Sequence, residues 1–193
     1  MALRYFCPEL PASRDLELDI WREANLVEAY ATSRQGLALA AHRRGCRVRT
    51  QGNARSVELL EDLDLKISRK SRAVAAVLHA DLKQRCRKSG IPDKVAGVRL
   101  VDLSRWLRRG WLPIILVDAR LVGDSEVPHW VIVAELGPSM AVIQDPLARR
   151  GGTLVKRRDL ARWLGFHGRS CAVVLEGRSD PMRYHILESR LDG

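Results

Sequence analysis

The sequence predicts an α+β protein, a helical N-terminal half packed on a mostly antiparallel sheet. In the first half, apolar residues recur at helical spacing between cap signals. From Leu112 onward they run as short strands separated by Gly, Pro and Ser turns. The chain of 193 residues, 46% hydrophobic and 29% charged, has globular values and room for a sizeable core.

Taken in order, Ser13 is a good N-cap, with Asp15 and Glu17 in the first turn after it. Leu16, Ile20 and Leu26 extend that helix to about Ala31, where Thr32 and Ser33 interrupt it. A second helix covers Gln35–Arg44 and stops at Gly45. Cys46–Gln51 alternates with basic residues and reads as a short edge strand. The longest helix is Ser68–Ser89, with a buried stripe of Val74, Val77, Leu78 and Leu82; Gly90 and Pro92 end it. A short helix, Leu103–Arg109, opens at Asp102 or Ser104 and closes at Gly110. Leu112–Ala119 is a buried strand, Arg158–Gly165 a short helix and Ser170–Glu176 the last strand. Residues 1–176 then form one domain, and 177–193 an irregular tail.

The bulk chemistry narrows the partners. The net charge of +10 raises the question of nucleic acid. All but six of the 33 basic residues are arginine, however, and they are scattered in pairs such as Arg43-Arg44, Arg108-Arg109 and Arg149-Arg150. No basic stripe interleaves with aromatics as a single-strand binder requires, so a solvated basic surface is the expectation. No apolar run approaches the ~20 residues of a membrane span, and Met1–Phe6 is not a signal peptide; a cytoplasmic protein with no membrane partner is expected. Cys7, Cys46, Cys86 and Cys171 lack metal-ligand spacing, so free thiols, no metal and no cofactor are expected.

One segment carries chemistry. Pro128–Pro146 reads as two apolar strands around a Gly137-Pro138-Ser139 turn. Folding it back on Gly137 sets Val133 against Ala141, Val131 against Ile143 and His129 against Asp145. An imidazole beside a carboxylate is the base and orienter of a Cys-His-Asp triad. The same juxtaposition also occurs as a plain structural pair, and a one-residue slip would put the two groups on opposite faces. Trp130 and Gln144 point away from the pair. His42, His79, His167 and His185 read as surface, packing, turn or tail residues.

Several stretches resemble a bacterial branch of the papain-like cysteine peptidases related to the leader peptidases of bacteriocin exporters, peptidase family thirty-nine. They are Ser13-Arg-Asp-Leu-Glu-Leu-Asp-Ile-Trp-Arg-Glu-Ala24, Gly36-Leu-Ala-Leu-Ala-Ala-His-Arg-Arg-Gly45, Pro128-His-Trp-Val-Ile-Val133 and Gln144-Asp-Pro146. The resemblance implies a papain-like fold, thiol-dependent cleavage of a peptide or isopeptide bond in a peptide or protein substrate, His129 as general base and Asp145 as its orienter. It also implies a nucleophile in a Cys-Gly-Pro sequence opening a helix, and an upstream Gln for the oxyanion. This sequence has no Cys-Gly-Pro, and Tyr30–Gln35 is shorter than the expected Gly-rich loop. Met1–Phe6 resembles the end of the nucleophile helix. Two expectations follow: the Cys and Gln precede Met1 in a longer product, or the protein is a non-hydrolytic relative that binds a peptide or protein. Cys7, which precedes Pro8, and Cys46, amid arginines, are poor substitutes.

Overall fold

A computed structural model describes residues 2–26, 31–53, 68–123, 125–148 and 151–178. The expectations for Tyr30, Arg149-Arg150, His185 and the tail beyond Arg178 fall outside these residues. The described helices are α1 (Ala2–Phe6), α2 (Arg14–Ala24), α3 (Arg34–Arg43), α4 (Arg69–Lys88), α5 (Leu100–Arg108) and α6 (Arg157–Trp163). A two-stranded ribbon of β1 (Asn25–Leu26) and β2 (Ala31–Thr32) joins α2 to α3. The main sheet contains β3 (Cys46–Gly52), β4 (Asp93–Val95), β5 (Leu112–Asp118), β6 (Pro128–Leu136), β7 (Met140–Gln144), β8 (Thr153–Lys156) and β9 (Cys171–Arg178). Its order is β4-β3-β9-β5-β6-β7-β8, antiparallel throughout except for the β3–β4 pair. This is the α+β arrangement expected from the sequence.

Local chemistry sets the helix starts. Ser13, Ser33 and Ser68 each accept a bond from the backbone N–H three residues on, at 3.2, 3.2 and 3.0 Å. Gly90, at φ +67°, ends α4 as anticipated. α5 starts earlier than expected because Asp102 acts from inside the first turn: its carboxylate accepts from Arg99 N–H at 3.0 Å.

The sheet has two packed sides. On one, α5 and α6 lay Leu103, Trp106 and Leu160 over Ile115, Val117, Val131, Val133, Ile143, Ala172 and Val174. On the other, α1, α3 and α4 cover Val48, Leu112, Ile132, Val173 and Leu175 with Cys7, Ala38, Leu39, Ala41 and Cys86. A smaller cluster of Leu116, Phe166 and Cys171 continues that second side, with Trp130 packed against it. Strand alternation sorts the residues: Ile132 faces the α1–α3 side, Val131 and Val133 the α5–α6 side. Arginine also serves packing. Arg49 and Arg109 lie over the Trp111 ring at 4.6 and 5.0 Å, and Arg120 and Arg162 over the Trp163 ring at 4.4 and 4.7 Å.

Several boundaries differ from the sequence reading. α2 stops at Ala24 because the chain turns into the β1–β2 ribbon. β3 is not an edge strand; it lies between β4 and β9, so its alternating arginines flank an interior strand. β9 continues to Arg178, two residues into the segment expected to be irregular. In α4 the expected stripe holds only in part: Val74 and Val77 are 39% and 69% exposed, Leu82 packs against the α1–α3 cluster, and the buried residues are Ala75 and Cys86. The helix packs on another helix, α3, and brings Leu82 and Cys86 to the cluster on that side of the sheet.

Candidate functional site

His129 opens β6 and Asp145 follows the last residue of β7. The turn between the strands is longer than a fold-back on Gly137 implies. Leu136 pairs with Ala141, which leaves Gly137 to Met140 in the turn, and Gly137 N–H donates to the Met140 carbonyl at 2.8 Å. The partner of Leu136 is therefore displaced by three positions from the expected Pro138. An odd displacement would carry Asp145 to the wrong side of the sheet. Ala134 then bulges out of β6: Glu135 faces Val142 and Val133 faces Ile143. Beyond the bulge the displacement is two, an even number, and the parity is restored. The expected partnering of His129 directly with Asp145 is thus not the register seen. The pair meets diagonally, on one face, as long polar side chains can.

The contact is short. His129 Nε2 and Asp145 Oδ1 are 2.8 Å apart, with side chains 15% and 10% exposed. The same Oδ1 accepts from the Leu147 backbone N–H at 2.9 Å, and Ala148 N–H donates to the Asp145 carbonyl at 3.1 Å. This Asx-type turn fixes the carboxylate before the imidazole reaches it. An ionised carboxylate only accepts, so the bonded Nε2 carries the hydrogen and Nδ1 keeps its lone pair. Nδ1 is then the nitrogen able to take a proton. The sequence reading missed Leu147 and Ala134; Pro146 after Asp145 signals a turn, but nothing local announces the bulge.

Around the pair the other groups have structural partners. Trp130 points to the opposite side and donates to the Thr32 carbonyl at 3.3 Å. Gln144 also faces that side, where with Ala2, Tyr5, Trp111, Ile132 and Ala134 it lines a cavity of about 380 Å³. Asp118, buried next to the start of β6, accepts from Arg120 Nη2 at 2.6 Å and from Arg120 N–H at 3.0 Å. Burial alone would raise its pKa, but the Arg120 hydrogen bonds and charge outweigh this and hold the carboxyl below its usual range. His167, exposed and at φ +46°, meets Glu126 at 3.4 Å and stacks on Phe166. His42 is half-buried on α3, and burial lowers its pKa despite a hydrogen bond to the Cys46 backbone.

The thiols lie elsewhere. All four cysteines are free and buried. Cys7, Cys46 and Cys86 belong to the α1–α3 side, and Cys171 to its continuation. By strand alternation, the His129–Asp145 pair belongs to the α5–α6 side, with Val131 and Ile143. Burial pushes the Cys46, Cys86 and Cys171 thiols up to about 12, the wrong direction for a nucleophile. Among the described residues no group of three or more His, Cys, Asp or Glu could hold a metal ion, and no helix is long and apolar enough to cross a membrane.

Residues 1–160 match the family model described as the Peptidase_C39 like family. The chain belongs to that family. The match takes in α1, the hairpin and both members of the pair, and stops within α6. Searches of the curated proteins and of the solved structures returned no match. As a Peptidase_C39-like protein the chain has a peptidase-type relationship, and α1 occupies the position at which the sequence resembled the end of a nucleophile helix. Within this Peptidase_C39-like chain, α1 packs against the side of the sheet that carries the thiols.

Proposed function

We propose that this chain is a cysteine peptidase-like protein in which His129 is the base and Asp145 the orienter of a thiol-dependent acyl-transfer centre. The observation that carries the proposal is the 2.8 Å Nε2···Oδ1 contact, which leaves Nδ1 as the proton acceptor. In the reaction a thiol gives its proton to Nδ1, the thiolate attacks a peptide or isopeptide carbonyl, and Asp145 steadies the imidazolium that forms. The protonated imidazole then returns the proton to the leaving amine, and water releases the acyl group.

None of Cys7, Cys46, Cys86 and Cys171 is the nucleophile in this proposal. Each is buried, and the sheet stands between them and the imidazole. That placement favours a second reading for the chain by itself: a peptidase fold that holds a peptide or protein segment without cutting it.

The first test is hydrolysis of a fluorogenic peptide library by residues 1–193. No turnover is expected, and none from His129→Ala. Turnover that disappears in Cys7→Ala would overturn the assignment of the thiols. The second test is the imidazole tautomer by ¹⁵N NMR. A single Nε2–H form in the wild type, becoming a mixture in Asp145→Asn, is expected; the same mixture in both proteins would remove Asp145 as the orienter. The in-frame nucleotide sequence ahead of the Met1 codon separates the two readings. A Gln followed by Cys-Gly-Pro there supports hydrolysis by a longer product, and an immediate stop codon supports binding alone.

A further inference from the structure

Cys7 and Cys46 are 39 residues apart in sequence, yet their sulfurs lie 3.7 Å from one another. Cys7 directly follows α1, and Cys46 is the first residue of β3. The contact is enclosed: the residues are 1% and 0% exposed, and the Cys7 thiol also approaches the Arg44 carbonyl at 3.4 Å. The proposed catalytic pair does not use either sulfur.

We propose that Cys7 and Cys46 form an oxidative modification site that closes to a reversible disulfide under a hydroperoxide. One thiol is oxidised by the peroxide to a sulfenic acid, with release of one water. The second sulfur attacks that sulfur, the S–OH bond breaks, and a second water leaves with the remaining proton. Two thiols and one hydrogen peroxide thus give one disulfide and two waters.

The geometry asks little of the fold. A disulfide needs its sulfurs at about 2.05 Å, so one side must approach. α1 is the element free to do so: it is five residues long and has no fully buried residue of its own. Closure would staple the end of α1 to the start of β3 and enclose α2, the β1–β2 ribbon and α3 in one covalent loop. The rate is set by scarcity of thiolate. Burial first, and then Cys7 beside it, push the Cys46 thiol up to about 12, so closure is slow at neutral pH and faster in mild alkali.

The experiment treats the full chain with hydrogen peroxide at pH 8, alkylates it under denaturing conditions and maps its peptides. The count of alkylatable thiols is expected to fall from four to two, with a Cys7–Cys46 crosslink that dithiothreitol reverses. The oxidised protein should melt higher by roughly 5–10 °C, because the unfolded chain loses loop entropy. Cys86→Ala should retain the crosslink and Cys7→Ala abolish it; should Cys7→Ala fail to fold, the wild-type peptide map decides. Four thiols surviving, sulfinic acid at Cys7 or Cys46 without a crosslink, or either residue bridged to a different cysteine would each overturn the proposal.

Discussion

The α5–α6 side of the sheet is filled by large aliphatics: Leu103, Leu160, Ile115 and Ile143 are all fully buried there. The α1–α3 side mixes small residues, Ala38, Ala41, Cys7, Cys46 and Cys86, with aliphatics such as Leu39, Ile91 and Leu175. Small residues let helices approach closely. The Cα of Ala24, at the end of α2, would lie 2.5 Å from a Cβ placed on Gly36 of α3. The aliphatic side carries His129 and Asp145 beyond Val131 and Ile143. One sheet thus keeps the His129–Asp145 pair on one side and every thiol of the chain on the other. A single side chain's chemistry is therefore a poor guide to a site here; which side of a strand it occupies decides more.

That contrast can be broken most severely from the aliphatic side. Leu103→Ala leaves a cavity in a fully buried position and should cost about 2–5 kcal/mol in urea unfolding. Cys86→Ala, on the small-residue side, should cost about 1 kcal/mol. Equal losses would show that the two sides are packed alike. Gly36→Ala comes next. Helix propensity favours alanine by about 1 kcal/mol, but the new methyl would meet the Ala24 backbone. The clash should win, with a net loss of about 1–3 kcal/mol measured by thermal denaturation. A stabilised variant would show that α2 and α3 are free to separate.

A smaller effect is expected at the pair. Asp145→Ala leaves His129 Nε2–H and Leu147 N–H without their acceptor and should cost about 1–2 kcal/mol in urea. No loss would show that the contact does not persist in solution. The smallest effects are pH-dependent. The Asp118 carboxyl is held below its usual range in the folded state. Its stabilisation is present above the unfolded value near 4 and is lost as the pH falls through the lower folded value. Asp118→Asn should therefore be less stable than wild type at pH 7, with the gap closing in acid. His42, also lowered, keeps its contribution above about 6.5 and loses it below. His42→Gln should flatten the stability curve between pH 7 and 5.

The order of elements was legible because caps and alternation are local. Ser13 announces its helix, Gly45, Gly90 and Gly110 close theirs, and the alternation of β6 sorted Trp130 from His129 without knowledge of the fold. Register was less legible. The His129–Asp145 meeting was anticipated, but through the wrong partners, since the turn is longer and Ala134 bulges. Two departures from the simple hairpin happened to sum to an even shift. The face of α4 was legible only in part. Leu82 packs on the core as expected, yet Val74 and Val77 are exposed while Ala75 and Cys86 are buried, because the helix beneath it helped choose the face. The approach of Cys7 to Cys46 was equally hidden, being a product of tertiary packing across 39 residues.

Among the described residues four guanidinium groups sit over two indoles, at Trp111 and Trp163. Part of the chain's positive excess is thus committed to holding its own surface together rather than left for polyanions. Lysines at positions 49, 109, 120 and 162 would leave the isoelectric behaviour almost unchanged and yet remove the planar, weakly hydrated cations that stack there. Titration would hardly distinguish such a protein from this one, whereas its tryptophan fluorescence and its resistance to heat should.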